Sequence, residues 1–137
     1  MALSRWESVK ASDRRWPKDN DVFDQVGDMM IDWTRVKDLR SEIGRDDFGD
    51  IVSLFLEEAD EVVARLSGLT DAKSMENNLH FLKGSALNLG FSHLAQMCQD
   101  EERRAATGQT DLALAAVIDA YRQSRSTFLA GLDRSAA

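Results

Sequence analysis

Apolar residues return every third or fourth position through almost all of residues 32–132, a period that fits helices and not strands. Val36, Leu39 and Ile43 follow Trp33 in a first short run that ends at Gly44. Asp32 precedes that run as an N-cap, and Ile31 and Val36 have the spacing of a hydrophobic staple. After Asp46 and Asp47, which suit the positive end of a helix dipole, a wide apolar stripe runs from Phe48 and Ile51 through Phe55, Leu56 and Ala59 to Leu66. Gly68 to Asp71 break the second run. Met75, Leu79, Leu82, Ala86 and Leu89 then repeat in alternating steps of four and three as far as Gly90. A fourth run covers about 92–106 on Leu94, Ala95, Met97 and Cys98, and a fifth starts at Thr110 and carries Leu114, Val117, Ile118, Tyr121, Phe128 and Leu132, with Gly108 between them. No stretch alternates with period two between turn residues, and every connection is a few residues long, so consecutive helices pack antiparallel. The expected fold is all-α: an antiparallel up-and-down four-helix bundle with a short additional helix on its N-terminal side.

Residues 1–20 break this pattern. They hold five basic and three acidic side chains, net +2, in a chain of net charge −7, which leaves −9 for the remainder. Two of the three Trp (Trp6 and Trp16) and the only Pro (Pro17) also lie there, without a sustained period. We therefore divide the chain into an N-terminal arm, 1–30, with a helical turn or two from Asp21 onward, and a bundle domain, 31–134. The acidic balance excludes nucleic acid and anionic membrane surfaces as natural ligands, since both demand a basic face. No run approaches the roughly 18 apolar residues of a membrane span, and no signal-peptide core stands at the start. Cys98 is the only cysteine, so no intramolecular disulfide forms, and the expectation is a cytoplasmic, reduced protein.

The third helix carries a second row beside its core stripe. Glu76, His80, Lys83, Gly84 and Leu87 fall at i, i+4, i+7, i+8 and i+11, on one face. A glycine inside a helix costs about 1 kcal/mol relative to alanine, so Gly84 calls for a reason. Side chains lean toward the helix N-terminus; a residue one turn after His80 would cover its ring, and Gly84 puts nothing there. Lys83 leans back toward the imidazole, where an ammonium stabilises an anion rather than a metal. Leu87 adds an apolar group that a solvated face does not need and a partner surface does. Imidazole is a nitrogen nucleophile, and phosphoryl transfer needs mainly access, positioning and charge stabilisation. Spacing alone fits equally well a polar surface histidine beside a tolerated glycine.

The segment His80-Phe81-Leu82-Lys83-Gly84-Ser85-Ala86-Leu87-Asn88-Leu89-Gly90 resembles the signature of histidine-containing phosphotransfer (HPt) domains, His-x-x-Lys-Gly with a further Gly six residues on. The likeness extends to Ile31-Asp32-Trp33, to Phe48 through Glu58, and to Phe91 through Glu102, and covers roughly 31–132. It implies a four-helix bundle in which His80 accepts a phosphoryl group from a receiver-domain aspartate or a hybrid kinase and passes it to another receiver. Lys83 would stabilise the phosphoryl oxygens and Gly84 would clear the approach. It implies no cofactor on this chain, because the Mg²⁺ belongs to the receiver, and a protein that is a phosphoryl carrier rather than an enzyme, usually a monomer. Many relatives place a Gln on the fourth helix near the imidazole. By simple alignment that position here is Glu102, with Gln99 one turn earlier, and either can approach His80; a carboxylate there accepts a bond from an imidazole N–H but repels a phosphoryl group. For docking, Leu87 and Phe91 are expected to supply apolar contact, with Glu76, Asn77 and Lys83 as a polar rim.

Other chemistry fits less well. His93, near the start of the fourth helix, suits a capping or surface role. A di-iron bundle needs Glu-x-x-His pairs, and the positions three before His80 and His93 are Asn77 and Gly90. One Cys and two separated His do not make a zinc site. A histidine-kinase dimerisation helix normally follows its His with an acidic residue, where Phe81 stands, and needs an ATP-binding domain for which there is no room. The acidic run Glu57, Glu58, Asp60, Glu61 reads as a solvated face, and the mixed run Asp100, Glu101, Glu102, Arg103, Arg104 reads the same way. A helical adaptor that docks without carrying phosphate, and a homodimeric bundle paired through Leu87, are the alternatives.

Overall fold

The computed structural model describes residues 30–136, with side chains as far as Leu132. The arm, with the helical turns expected from Asp21, lies outside the described residues, apart from Met30, which packs against the core. Five helices follow: α1 (Trp33–Ile43), α2 (Arg45–Leu66), α3 (Ala72–Leu89), α4 (Ser92–Ala106) and α5 (Leu114–Ala136). Among the described residues there is no strand. Helices α2 to α5 close a ring in which each touches the next and α5 returns to α2, while α1 lies against α2 and α3. This is the expected bundle with its extra N-terminal helix.

The helix ends follow local chemistry. Asp32 Oδ1 accepts the backbone N–H groups of Thr34 at 3.1 Å and Arg35 at 3.3 Å, which caps α1. Asp71 caps α3 by accepting Ser74 N–H at 2.9 Å, and that bond holds its carboxyl below the usual carboxylate range. The capping contribution is thus present at neutral pH and lost only as acid protonates the group. Gly90 ends α3 in the left-handed region at φ 80°, and a Cβ there would meet the Asp32 carbonyl at 2.8 Å. Asp32 N–H donates to Gly90 O at 2.7 Å, so the start of α1 is fastened to the end of α3.

The fifth helix begins at Leu114, four residues later than its sequence pattern suggests. Glu101 Oε1 accepts Ala113 N–H at 2.8 Å and Arg104 Nη2 donates to Asp111 O at 3.3 Å, so α4 draws residues 111–113 into a loop. Farther along α5, Tyr121 donates its hydroxyl to Leu56 O at 3.3 Å and to Asp60, which ties α5 to α2.

The core consists of the stripes read from the sequence: Leu39, Ile51, Phe55, Leu79, Leu82, Leu89, Leu94 and Phe128 are all buried. Phe91 belongs with them, and here one docking expectation is corrected. Its side chain is 0% exposed, in edge contact with Phe128 at 5.3 Å between centroids and 6.4 Å from Tyr121. The turn at Gly90 redirects the chain so that the next residue points into the bundle, and Phe91 cannot supply contact to a partner.

Candidate functional site

His80 lies on α3, and its side chain is 69% exposed, which an imidazole at a packed bundle surface reaches only where its neighbours stand clear. Gly84 provides that clearance. Nothing comes within 4 Å of where its Cβ would be, so no close helix crossing explains the glycine, and the open space lies beside His80. Core residues Leu79 and Leu82 on the opposite side of α3 are completely buried, which fixes the rotation of the helix and thus the outward direction of His80.

Glu102, one of the two residues that spacing left undecided, is the side chain that meets the ring. Its Oε2 lies 2.8 Å from His80 Nδ1, and its Oε1 lies 3.1 Å from Lys83 Nζ. An ionised carboxylate can only accept, so Nδ1 carries the proton and donates it. In the neutral ring the other nitrogen, Nε2, then holds the lone pair. One carboxylate therefore sets the tautomer of the imidazole and holds the ammonium beside it. Lys83 and Glu102 are each mostly buried, at 13% and 18%. Their mutual charge compensation removes much of the repulsion that a lone carboxylate would exert on an incoming phosphoryl group. Gln99 is buried at 6% and lies one turn behind Glu102 in α4. Cys98 is also buried, four residues before Glu102, and desolvation, with Glu102 adding to it, pushes its thiol far above the ordinary range. It is chemically quiet.

The surroundings of the imidazole differ from the sequence expectation in their apolar part. Phe81 is the one large apolar side chain exposed among the described residues, at 42%, and it directly follows His80. Its place between the core positions Leu79 and Leu82 was the available signal, since helical spacing puts it off the core stripe. Leu87 is half-buried and packs partly onto the core. Asn77, four residues before Phe81, is exposed, and Glu76 is 29% exposed and paired with Lys73 at 3.7 Å. His93 is exposed on α4. Among the described residues no group of three or more His, Cys, Asp or Glu side chains could hold a metal ion.

The arrangement offers a ring nitrogen with its lone pair outward, a cation beside it and an open approach, the needs of phosphoryl acceptance. Searches among curated proteins and among solved structures return no significant match. The family model of the Hpt domain matches residues 50–127, more than half of the chain and inclusive of His80, Lys83, Gly84 and Glu102. With an all-helical bundle and that match, the chain belongs to the Hpt domain family, the histidine phosphotransfer modules of phosphorelays.

Proposed function

We propose that this protein is a phosphorelay intermediate whose Nε2 of His80 accepts a phosphoryl group from the aspartate of a receiver domain and delivers it to a second receiver. The observation that carries this is the Nδ1–Glu102 contact on an exposed ring, because it leaves Nε2 as the outward nucleophile. In the forward step the Nε2 lone pair forms a bond to phosphorus as the bond from phosphorus to the aspartyl oxygen breaks. The aspartate leaves as a carboxylate, and the positive charge gained by the ring is stabilised at Nδ1–H by Glu102. Lys83 supplies N–H donors to the phosphoryl oxygens. Mg²⁺ in the receiver's acidic pocket serves the other end of the transfer. The chain therefore acts as a carrier, not as an enzyme with turnover of its own, and its place is the cytoplasm, where such partners work. No helix among the described residues is long and apolar enough to cross a membrane.

The test is incubation with a panel of Mg²⁺-loaded, phosphorylated receiver domains. Acid-labile, base-stable label on this protein supports the carrier role. Absence of label with every receiver, alongside measurable binding, would replace it with the adaptor role.

Two further expectations follow from the site. Glu102→Ala should slow His80 phosphorylation roughly tenfold or more, because the ring loses the partner that fixes its tautomer. Glu102→Gln keeps an acceptor for Nδ1–H and should retain more of the rate, so single-turnover assays of the two variants separate hydrogen bonding from charge. The docking surface predicts a contrast between two phenylalanines. Phe81→Asp should weaken receiver binding and leave stability within about 0.5 kcal/mol, as exposed substitutions do. Phe91→Ala should instead cost about 3–5 kcal/mol of stability by opening a cavity in the core. Calorimetric unfolding with receiver titration would show both, and the reverse pattern would move the docking face elsewhere.

A further inference from the structure

We propose that Arg35 and Asn88 are positioning residues for the phosphoryl-accepting turn: a buried relay from α1 through Asn88 to the Gly84 carbonyl keeps the His80–Gly84 turn in fixed helical geometry. This rests on the proposed role of His80. Arg35 is only 7% exposed, and a buried guanidinium requires partners for its donors. Two of those partners belong to the last turns of α3. Nε donates to Leu87 O at 3.3 Å and Nη2 donates to Asn88 Oδ1 at 3.0 Å, while Glu42 lies 3.6 Å from Nη1 and balances the charge. Asn88, also 7% exposed, passes the restraint on, because its Nδ2 donates to Gly84 O at 3.0 Å.

Gly84 is where such a restraint matters. Glycine has the greatest backbone freedom of any residue, and with nothing packed at its missing Cβ, side-chain contact does not stiffen the turn. In α-helical geometry the Gly84 N–H bonds the carbonyl of His80 itself, so motion of this peptide displaces the imidazole. The His80–Glu102 bond reaches across to α4 and is sensitive to such displacement, since misplacement by about 1 Å can cost a reaction 10²-fold. The glycine that opens the ring to a partner thereby loosens the turn, and the Asn88 side chain adds a second hydrogen bond at the carbonyl where the helix is softest.

The test uses phosphoramidate, a small P–N phosphodonor that needs no docking partner, with amide hydrogen exchange read in parallel. Asn88→Ala should slow labelling of His80 about tenfold and speed exchange at the amide of residue 88, which bonds Gly84 O, by a similar factor. Arg35→Lys keeps the charge facing Glu42 but cannot fork to Leu87 and Asn88 together, and should give the same effects in milder form. The decisive variant adds Gly84→Ala to Asn88→Ala. Alanine stiffens the turn by its own helix preference and has open space for its methyl, so it should recover at least threefold of the lost rate. A relay that merely holds the fold together would show no such recovery. Unchanged exchange at residue 88 in the folded Asn88→Ala variant, or Gly84→Ala slowing it as much as it slows the unsubstituted protein, overturns the proposal. If His80 takes phosphoramidate but no receiver discharges it, the carrier role fails while the relay stands.

Discussion

His80→Gln is expected to abolish acid-labile phosphoryl labelling while leaving the bundle intact. The side chain is 69% exposed, so its replacement falls among surface substitutions, which usually change stability by no more than about 0.5 kcal/mol. A Gln at this position also keeps an N–H donor for Glu102, the contact that Nδ1 makes in the native protein. What it lacks is a nucleophilic ring nitrogen. The one other histidine, His93, is exposed on α4, so it is accessible to a phosphodonor and serves as an internal control. Phosphoryl transfer from a Mg²⁺-loaded receiver, followed by acid and base treatment, reads the outcome, with circular dichroism reporting helix content. Persistence of acid-labile label in His80→Gln would assign the chemistry to His93. Acid-stable label of equal amount on the native protein and on His80→Gln, with no acid-labile label on either, would assign the phosphoryl group to a hydroxyl side chain instead of a histidine.

The parts of this molecule legible in the sequence are those whose causes are local. Asp32 caps because it immediately precedes an apolar period, Gly90 stops α3 because it adopts the left-handed region without strain, and the stripe from Phe48 to Leu66 is buried as its spacing demands. His80, Lys83 and Gly84 share a helix, so their juxtaposition is a matter of counting. Contacts between helices are a different problem. Whether Gln99 or Glu102 reaches the imidazole depends on the rotation of α4 against α3, and both residues lie within one turn of the right height. Phe81 and Phe91 bracket the motif with the same side chain, and their fates are opposite because Phe91 follows the Gly90 turn and meets Tyr121 and Phe128 of α5. The Arg35–Asn88 contact spans 53 residues, and nothing in the sequence of α1, which also holds Arg40, shows that Arg35 is the one to be buried or which acceptor it will meet. The late start of α5 has the same origin, since the loop is claimed by Glu101 and Arg104 from a preceding helix.

Gly84→Gln is expected to slow transfer from receivers at least 100-fold and, unlike most damaging substitutions, to raise stability. The two effects have separate causes. Replacing a mid-helix glycine with Gln removes a propensity deficit of somewhat under 1 kcal/mol. Nothing lies within 4 Å of the new Cβ, so no clash offsets this gain. For a domain of this size the melting temperature should rise by about 2–4 °C. The side chain then leans toward the helix N-terminus and covers the imidazole one turn back, which blocks the in-line approach to Nε2. Gly84→Ala places only a methyl there and should be intermediate in rate. A graded loss of rate from Gly to Ala to Gln, with both variants melting above the native protein, can arise only if the glycine serves access to His80 rather than packing. Equal rates for all three would show that the partner reaches His80 from another side, and a fall in melting temperature would show that the space beside Gly84 is filled in solution.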